Sequence, residues 1–414
     1  MNTPSSDPAH AFASLNRRQF LGRSAVVGAG LSVLKPRYAG AADPGSMVRV
    51  ALLGCGGRGK WIAGLFEQHG GFQFVANCDY FADRANEAGE KLKVPAGRRY
   101  HGLLGYQKVL ELPDVDAVVI ESPPYFHPIH AAAAVAAGKH VYLAKPIAVD
   151  VPGCLTVEDS GRRATAAKRV FLVDFQTRAH PAYQDAVNRV HQGGIGRLIN
   201  GEASYFCDAT WGGMDPVLRK DPKNPEVRLR AWGVDRVLSG DVITEQNIHA
   251  LDVATWIADA APVKAYGAGG KVRDFAGDCW DHWSVVYFFP NDLLVSFTSK
   301  QVGKFWDDIC CRFYGTEGVI DTHYFGEVNV LSDDPIKSGK LKNLYTDGVV
   351  NNIATFHRSI AAADFSNPTV APSVRSNLTT ILGRTAAYQK TEMTMADLLK
   401  RREKWEFSTH GLKA

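Results

Sequence analysis

Val48-Arg49-Val50-Ala51-Leu52-Leu53-Gly54-Cys55-Gly56-Gly57-Arg58-Gly59 joins an apolar run to a glycine-rich turn, and Asp79 follows twenty residues after Gly59. In such a stretch the first glycine permits a tight strand-to-helix turn. The second lets a pyrophosphate approach the backbone, the third lets the helix pack closely on the strand, and the helix N-terminus offers free N–H groups to an anion. A second apolar run, Phe72-Gln73-Phe74-Val75, carries the chain to Asp79, whose carboxylate suits both hydroxyls of a ribose. Strand, spaced glycines and acid in this register predict a dinucleotide-binding unit. Gly54, Gly56, Gly57, Arg58, Gly59 and Asp79 are its candidate ligands, and NAD is the expected cofactor because Asp79 repels a 2′-phosphate. Arg84 nearby is the opposing charge.

Outward from this unit, short β-branched runs alternate with helical patterns up to about Val173. Ala117-Val118-Val119-Ile120 precedes a helix from Ile129 to Ala137, stopped by Gly138, and then His140-Val141-Tyr142-Leu143. This alternation predicts a parallel, doubly wound α/β sheet over residues 46–174. Beyond Phe175 the texture changes. A helix from Tyr183 to Gln192, a strand from Leu198 to Tyr205 and a polar segment from Trp211 to Trp232 lead to a helix from Asp241 to Ala258. Strands follow at 263–270, 280–289, 293–298 and 309–314, with Pro290-Asn291-Asp292 as a hairpin turn, and helical patterns at 352–361 and 373–390. Residues 175–395 are therefore expected to form an α+β domain with a large open, mostly antiparallel sheet, followed by a tail at 396–414.

Upstream, residues 1–42 read as a twin-arginine export signal. Asn16-Arg17-Arg18-Gln19-Phe20-Leu21 precedes a short small-residue apolar stretch from Ser24 to Leu34, and Ala39-Gly40-Ala41 is a cleavage signature. The stretch is shorter than the ~20 residues a membrane-spanning helix needs. The mature protein is thus expected to be soluble, without stable membrane insertion, and periplasmic, with the twin-arginine machinery as a partner. Without residues 1–42 the chain has 42 basic and 42 acidic residues. That balance argues against nucleic acid or an anionic membrane as a partner. The seven cysteines contain no C-x-x-C pair, and His127 and His130 lack a third ligand in the sequence around them, so no metal site is expected.

The glycine fingerprint, Pro123-Pro124-Tyr125-Phe126-His127, the pair Lys145-Pro146 and the run Glu245-Gln246-Asn247-Ile248-His249-Ala250-Leu251-Asp252 occur in the order and spacing of one family. The chain resembles the Gfo/Idh/MocA oxidoreductases, in their exported twin-arginine branch, from about Val48 to the C-terminus. The resemblance implies a Rossmann domain joined to an open-sheet domain, hydride transfer between nicotinamide and a hydroxyl-bearing carbon of a sugar or polyol, and association into homo-oligomers. It places Pro123 and His127 near the nicotinamide and Lys145 at the reacting hydroxyl. Two positions depart from the family pattern: Ala144 stands where a glutamate usually precedes Lys-Pro, and Glu245 where an aspartate is usual.

The residues also support this chemistry directly. Lys145 follows a buried-looking strand and precedes a proline, which places its ammonium at the C-terminal edge of the sheet, where open α/β sheets bind ligands. Glu245 and His249 are four apart on an expected helix, so the carboxylate is positioned to orient the ring and stabilise its protonated form. Lys145, His249 and Glu245 are the catalytic candidates, His249 taking the hydroxyl proton as base. Arg178, Trp211, Arg230, Trp232 and Asp252 are substrate candidates, since aromatic faces stack on sugar rings and guanidinium groups bond hydroxyls. Three functions fit: an exported NAD-dependent oxidoreductase of a sugar or glycoside, a redox-neutral glycosidase that oxidises, eliminates, hydrates and re-reduces, and a catalytically silent NAD-bound sugar-binding protein.

Overall fold

The computed structural model describes residues 47–414, so the expected export signal, including Arg17, Arg18 and Ala39 to Ala41, lies outside the described residues. The first sheet contains β1 (Val48–Leu53), β2 (Phe72–Asp79), β3 (Arg99–His101), β4 (Ala117–Ile120), β5 (His140–Ala144) and β6 (Phe171–Asp174). All are parallel, in the order β3-β2-β1-β4-β5-β6. This is the doubly wound dinucleotide-binding order, with its crevice at the C-terminal ends of β1 and β4. The strands are buried on both faces, as their near-continuous apolar runs require. They alternate with α1 (Gly57–His69), α2 (Ala82–Lys91), α3 (Gly105–Leu110), α4 (His127–Ala136) and α5 (Val151–Ala166).

Helix α6 (Pro181–His191) leads to β7 (Leu198–Cys207) and then to the polar segment, which folds as α7 (Asp215–Leu218), α8 (Pro225–Arg230) and α9 (Arg236–Ser239). The second sheet adds β8 (Lys264–Gly270), β9 (His282–Phe288), β10 (Leu294–Gln301), β11 (Asp308–Gly315), β12 (Val319–His323), β13 (Val328–Leu331), β14 (Ile336–Lys337) and β15 (Met393–Thr394). Its order is β14-β13-β12-β11-β7-β10-β9-β8-β15, antiparallel except where β10 meets β7. Each long strand alternates buried and exposed residues. One face therefore packs on helices and the other stays open.

The expected helix from Asp241 to Ala258 is two helices, α10 (Asp241–Glu245) and α11 (Ile248–Ala258). The Asn247 N–H donates to the carbonyl of Val242, five residues back, which widens the turn between them. Two long helices, α12 (Leu344–Ala361) and α13 (Val370–Gln389), and a short one, α14 (Met395–Arg401), complete the described chain. Helix α13 packs its buried Leu378, Ile381, Leu382 and Ala386 into one apolar core with α11 and the inner face of the second sheet.

Candidate functional site

The glycine loop lies between the ends of β1 and β4. Gly54 has φ +99°, and a Cβ there would meet the Glu121–Ser122 backbone at 2.5 Å. A Cβ on Gly59 would lie 2.0 Å from the Gly54 carbonyl oxygen, whereas one on Gly56 would face open space. Gly54 and Gly59 thus bring turn and helix together, and Gly56 leaves the backbone open to a ligand. The Asp79 carboxylate accepts hydrogen bonds from the backbone N–H groups of Cys55 at 2.8 Å and Phe81 at 2.9 Å, which hold it at the mouth of the loop. Burial raises its pKa above the usual carboxylate value, against these bonds and the nearby Arg84.

A cleft open to solvent runs along this loop, lined by Gly54, Gly56, Asp79, Arg84, Pro123 and Trp232 among others. Its lining fits a dinucleotide, with the Asp79 carboxylate for ribose hydroxyls and the open Gly56 backbone for the pyrophosphate. Trp232, a substrate candidate by sequence, instead lines this cleft. Trp211 packs against it with ring centroids 5.7 Å apart. Arg230 bonds Asp83 at 3.0 and 3.1 Å and lies 3.8 Å from the Phe81 ring, so it ties α8 to the start of α2.

The tail runs beside the same cleft. The Trp405 N–H donates to Asp150 at 2.9 Å, the Phe407 N–H to the Tyr125 hydroxyl at 3.2 Å and the Lys413 N–H to the Tyr80 hydroxyl at 3.2 Å. Leu103 donates its N–H to the Lys413 carbonyl at 3.0 Å. Tyr80 and Leu103 line the cleft, so the last ten residues form part of its rim.

At the C-terminal edge of β5, Lys145 is buried, its ammonium donating to the Glu245 carbonyl at 2.6 Å and to the Glu245 carboxylate at 3.5 Å. Burial lowers the Lys145 pKa, and Glu245 opposes the shift. The His249 ring is also buried, its Nδ1 makes no hydrogen bond, and the ring stands 5.5 Å from that of Tyr324. Burial, then the positive charges of Lys145 and Arg58, hold its pKa well below the ordinary 6.5. At neutral pH the ring is therefore uncharged and able to take a proton. The structure differs here from the i, i+4 reading. With a widened turn between α10 and α11, Glu245 bonds Lys145, and the charges acting on His249, those of Lys145 and Arg58, disfavour its protonated form.

Sequence reasoning missed the ion network beneath these groups. Arg58 reaches Glu121 at 3.0 Å and Asp174 at 2.9 Å. Ala144 pairs with Asp174 on one side, and Glu121 directly follows Ile120, the partner of Leu143, on the other. Two carboxylates thus flank Ala144 on the neighbouring strands, with Arg58 bridging them. Burial raises the Glu121 pKa to about 7. The sequence signal was available, since both acids directly end apolar strands at the edge where ligands bind. As placed, Arg58 is committed to these acids and to the Tyr345 hydroxyl.

His127 is buried, its ring nitrogens 2.7 Å from the Pro146 and Ser122 carbonyl oxygens, so it fastens the Lys145-Pro146 segment to the Pro123 loop. Burial brings its pKa down to about 4, although both carbonyls favour the charged form. Arg178 and Asp252 bond each other at 2.8 to 3.0 Å, and Asp252 also accepts from Ser376 at 2.6 Å. This buried pair locks the segment after β6 onto α11 and α13.

Two family profiles match the chain: "Oxidoreductase family, NAD-binding Rossmann fold" over residues 48–174, and "GFO/IDH/MocA C-terminal domain" over residues 183–321. The chain belongs to the Gfo/Idh/MocA oxidoreductase family. Its N-terminal domain is accordingly an NAD-binding Rossmann fold. Among curated members, an alpha-N-acetylgalactosaminidase of Shewanella oneidensis is 31% identical over 169 residues, 40% of this chain and 36% of the relative. A glycosyl hydrolase family 109 protein of a Shewanella species is 29% identical over 220 residues, 48% and 47% of the two chains. The chain thus spans less than half the length of these relatives. The fold is shared with levoglucosan dehydrogenase in complex with NADH and levoglucosan, at TM-score 0.68 and 18% identity over 84% of this chain and 99% of that one. It is shared equally with aldose-aldose oxidoreductase from Caulobacter crescentus, at TM-score 0.66 and 19% identity over 84% and 99%.

Proposed function

We propose that this protein moves a hydride between tightly held NAD and a hydroxyl-bearing carbon of a sugar or glycoside. The observation that carries the reading is the buried Lys145 ammonium at the sheet edge, near an uncharged His249 whose Nδ1 has no partner. Lys145 would donate to the substrate hydroxyl oxygen and stabilise negative charge developing there. His249 Nδ1 would take the hydroxyl proton. Glu245 holds the ammonium in place. Gly54, Gly56, Asp79 and Pro123 would hold the dinucleotide, which when bound supplies the hydride acceptor.

A second reading, redox-neutral cleavage of a glycoside, is favoured by relatives named alpha-N-acetylgalactosaminidase and glycosyl hydrolase family 109 protein. In that sequence the same lysine and histidine would acidify a ring hydroxyl, and the neighbouring carbon would lose the aglycone before water adds. Aryl glycosides separate the two. Released phenol with no net change in dinucleotide redox state supports the glycosidase, and a keto-sugar formed stoichiometrically with NADH supports the dehydrogenase. No turnover of any sugar, with tight sugar binding intact, would overturn both and leave a binding protein.

The reading includes twin-arginine export, supported by Arg17-Arg18 and the alanine-rich cleavage signature. Among the described residues no helix is long and apolar enough to cross a membrane. Replacing Arg17 and Arg18 together with Lys should leave the precursor unprocessed in the cytoplasm, because Lys keeps the charge and loses the planar guanidinium fork. Fractionation with an antibody to the mature chain checks this, and normal processing of the double variant would remove the assignment. Self-association through the open face of the second sheet also belongs to this reading, supported by exposed Tyr266, Val286, Leu294 and Tyr314.

A further inference from the structure

On the open face of the second sheet, behind the proposed catalytic groups, strand register gathers a second set of chemically reactive side chains. Cys310 on β11 pairs directly with His323 on β12, and Arg312 with Asp321. Asp308 lies two residues before Cys310 and Asp321 two before His323. All four therefore point to one face. His323 Nδ1 lies 3.0 and 3.1 Å from the two Asp308 carboxylate oxygens, and its Nε2 lies 3.3 Å from Asp321. Ligand atoms of Asp308, Cys310 and His323 all lie within 4.8 Å of one another.

We infer that Asp308, Cys310 and His323 form a binding site for a thiophilic divalent cation of the zinc type. The donor set of one thiolate, one imidazole and one carboxylate is that of zinc, and its charge neutralises a dication. Arms of 2.0–2.1 Å in a tetrahedral site put neighbouring N and O ligands about 3.3 Å apart. The His323 to Asp308 separation therefore has to open by only a few tenths of an ångström. Asp321 completes the arrangement from outside. Without an ion both ring nitrogens of His323 donate to carboxylates, Nδ1–H to Asp308 and Nε2–H to Asp321; a cation would displace the Nδ1 proton, while Asp321 keeps Nε2–H and so orients the ring. Arg312 bonds Asp321 and Glu202 and holds that carboxylate in position. All three ligands are partly exposed in the single chain, which leaves the ion a fourth position that water or a group of a second copy packed on this face would fill. Bound there, it would clip β11 to β12 just before Tyr324, whose ring faces His249 on the other side of the sheet.

Cobalt(II) tests the site on the whole protein, because a bound thiolate gives a charge-transfer band in the near ultraviolet and a tetrahedral centre gives intense visible bands. One equivalent should develop both features, and zinc should displace them. Cys310→Ser should remove the charge-transfer band, His323→Ala should abolish stoichiometric binding, and Asp321→Asn should weaken affinity about 10–100-fold. Cys207→Ser, also partly exposed, should change nothing. Near-ultraviolet circular dichroism of each variant without metal establishes that the fold is kept. Absence of a thiolate band, or binding that survives both Cys310→Ser and His323→Ala, would overturn the site.

Discussion

Lys145→Met and His249→Ala each lower the rate of hydride transfer by about 10²–10⁴-fold, the usual contribution of a positioned acid–base group, while the protein still carries its dinucleotide. Both side chains are assigned to the substrate hydroxyl, and neither lines the cleft assigned to NAD. Removing the ammonium also leaves the Glu245 carboxylate buried without its partner, which destabilises the fold for a reason unrelated to catalysis. The control is the double variant Lys145→Met/Glu245→Gln, which removes the charge pair together and should stay as inactive as the single variant. The pH profile distinguishes the histidine further. Because its pKa in the folded chain lies well below 6.5, the acid limb of kcat/KM assigned to His249 should fall below that pH. Near wild-type single-turnover rates in either variant would remove the pair from the mechanism.

Protein purified without added nucleotide should contain NAD(H), identified by mass spectrometry after denaturation. An enzyme working outside the cytoplasm has no pool from which to replace a lost cofactor, so slow release is part of the proposed function. The fold supplies means for it. Asp79 is fixed by two backbone N–H groups, Trp232 and Leu229 close the cleft from the second domain, and the tail is fastened to Tyr80, Leu103 and Tyr125 at its rim. Asp79→Ala should weaken NAD binding about 10–100-fold through loss of charge-assisted ribose bonds, and relax the preference for NAD over NADP. Deleting residues 405–414 should speed release while leaving the ribose contacts in place, so NADP discrimination should not change. Wild-type protein that is fully free of nucleotide after purification would refute retention. A tail deletion with unchanged release would confine it to the cleft itself.

Much of the fold was legible because it is written at short range. The Rossmann half follows from apolar runs, glycines and an acid whose spacing is set by one strand, one turn and one helix, and these are local constraints. The open sheet was legible from alternation, since one face packs and the other meets solvent. Two local readings did not survive intact. The helix from Asp241 to Ala258 has no glycine or proline to mark its break, because the widened turn at Asn247 is a backbone bond to Val242 and leaves no trace in composition. The aromatic and basic residues of the 211–232 segment suit sugar recognition by type, yet the segment's contacts put Trp232 on the cofactor cleft and Arg230 on Asp83.

By itself the sequence determined the doubly wound sheet and the dinucleotide loop, and it picked out Lys145 and His249, the two residues on which the proposed chemistry depends. Each is specified by neighbours within a turn or a strand of it, or by a motif whose order is fixed along the chain. Only the tertiary structure decided what those residues touch. Glu245 turns to Lys145 instead of His249, Arg58 spans Glu121 and Asp174 across Ala144, and Arg178 closes on Asp252. The physical reason is burial. A charged group removed from water must find its counter-charge among whatever the fold brings within about 4 Å, and those partners here lie tens to more than a hundred residues away in sequence.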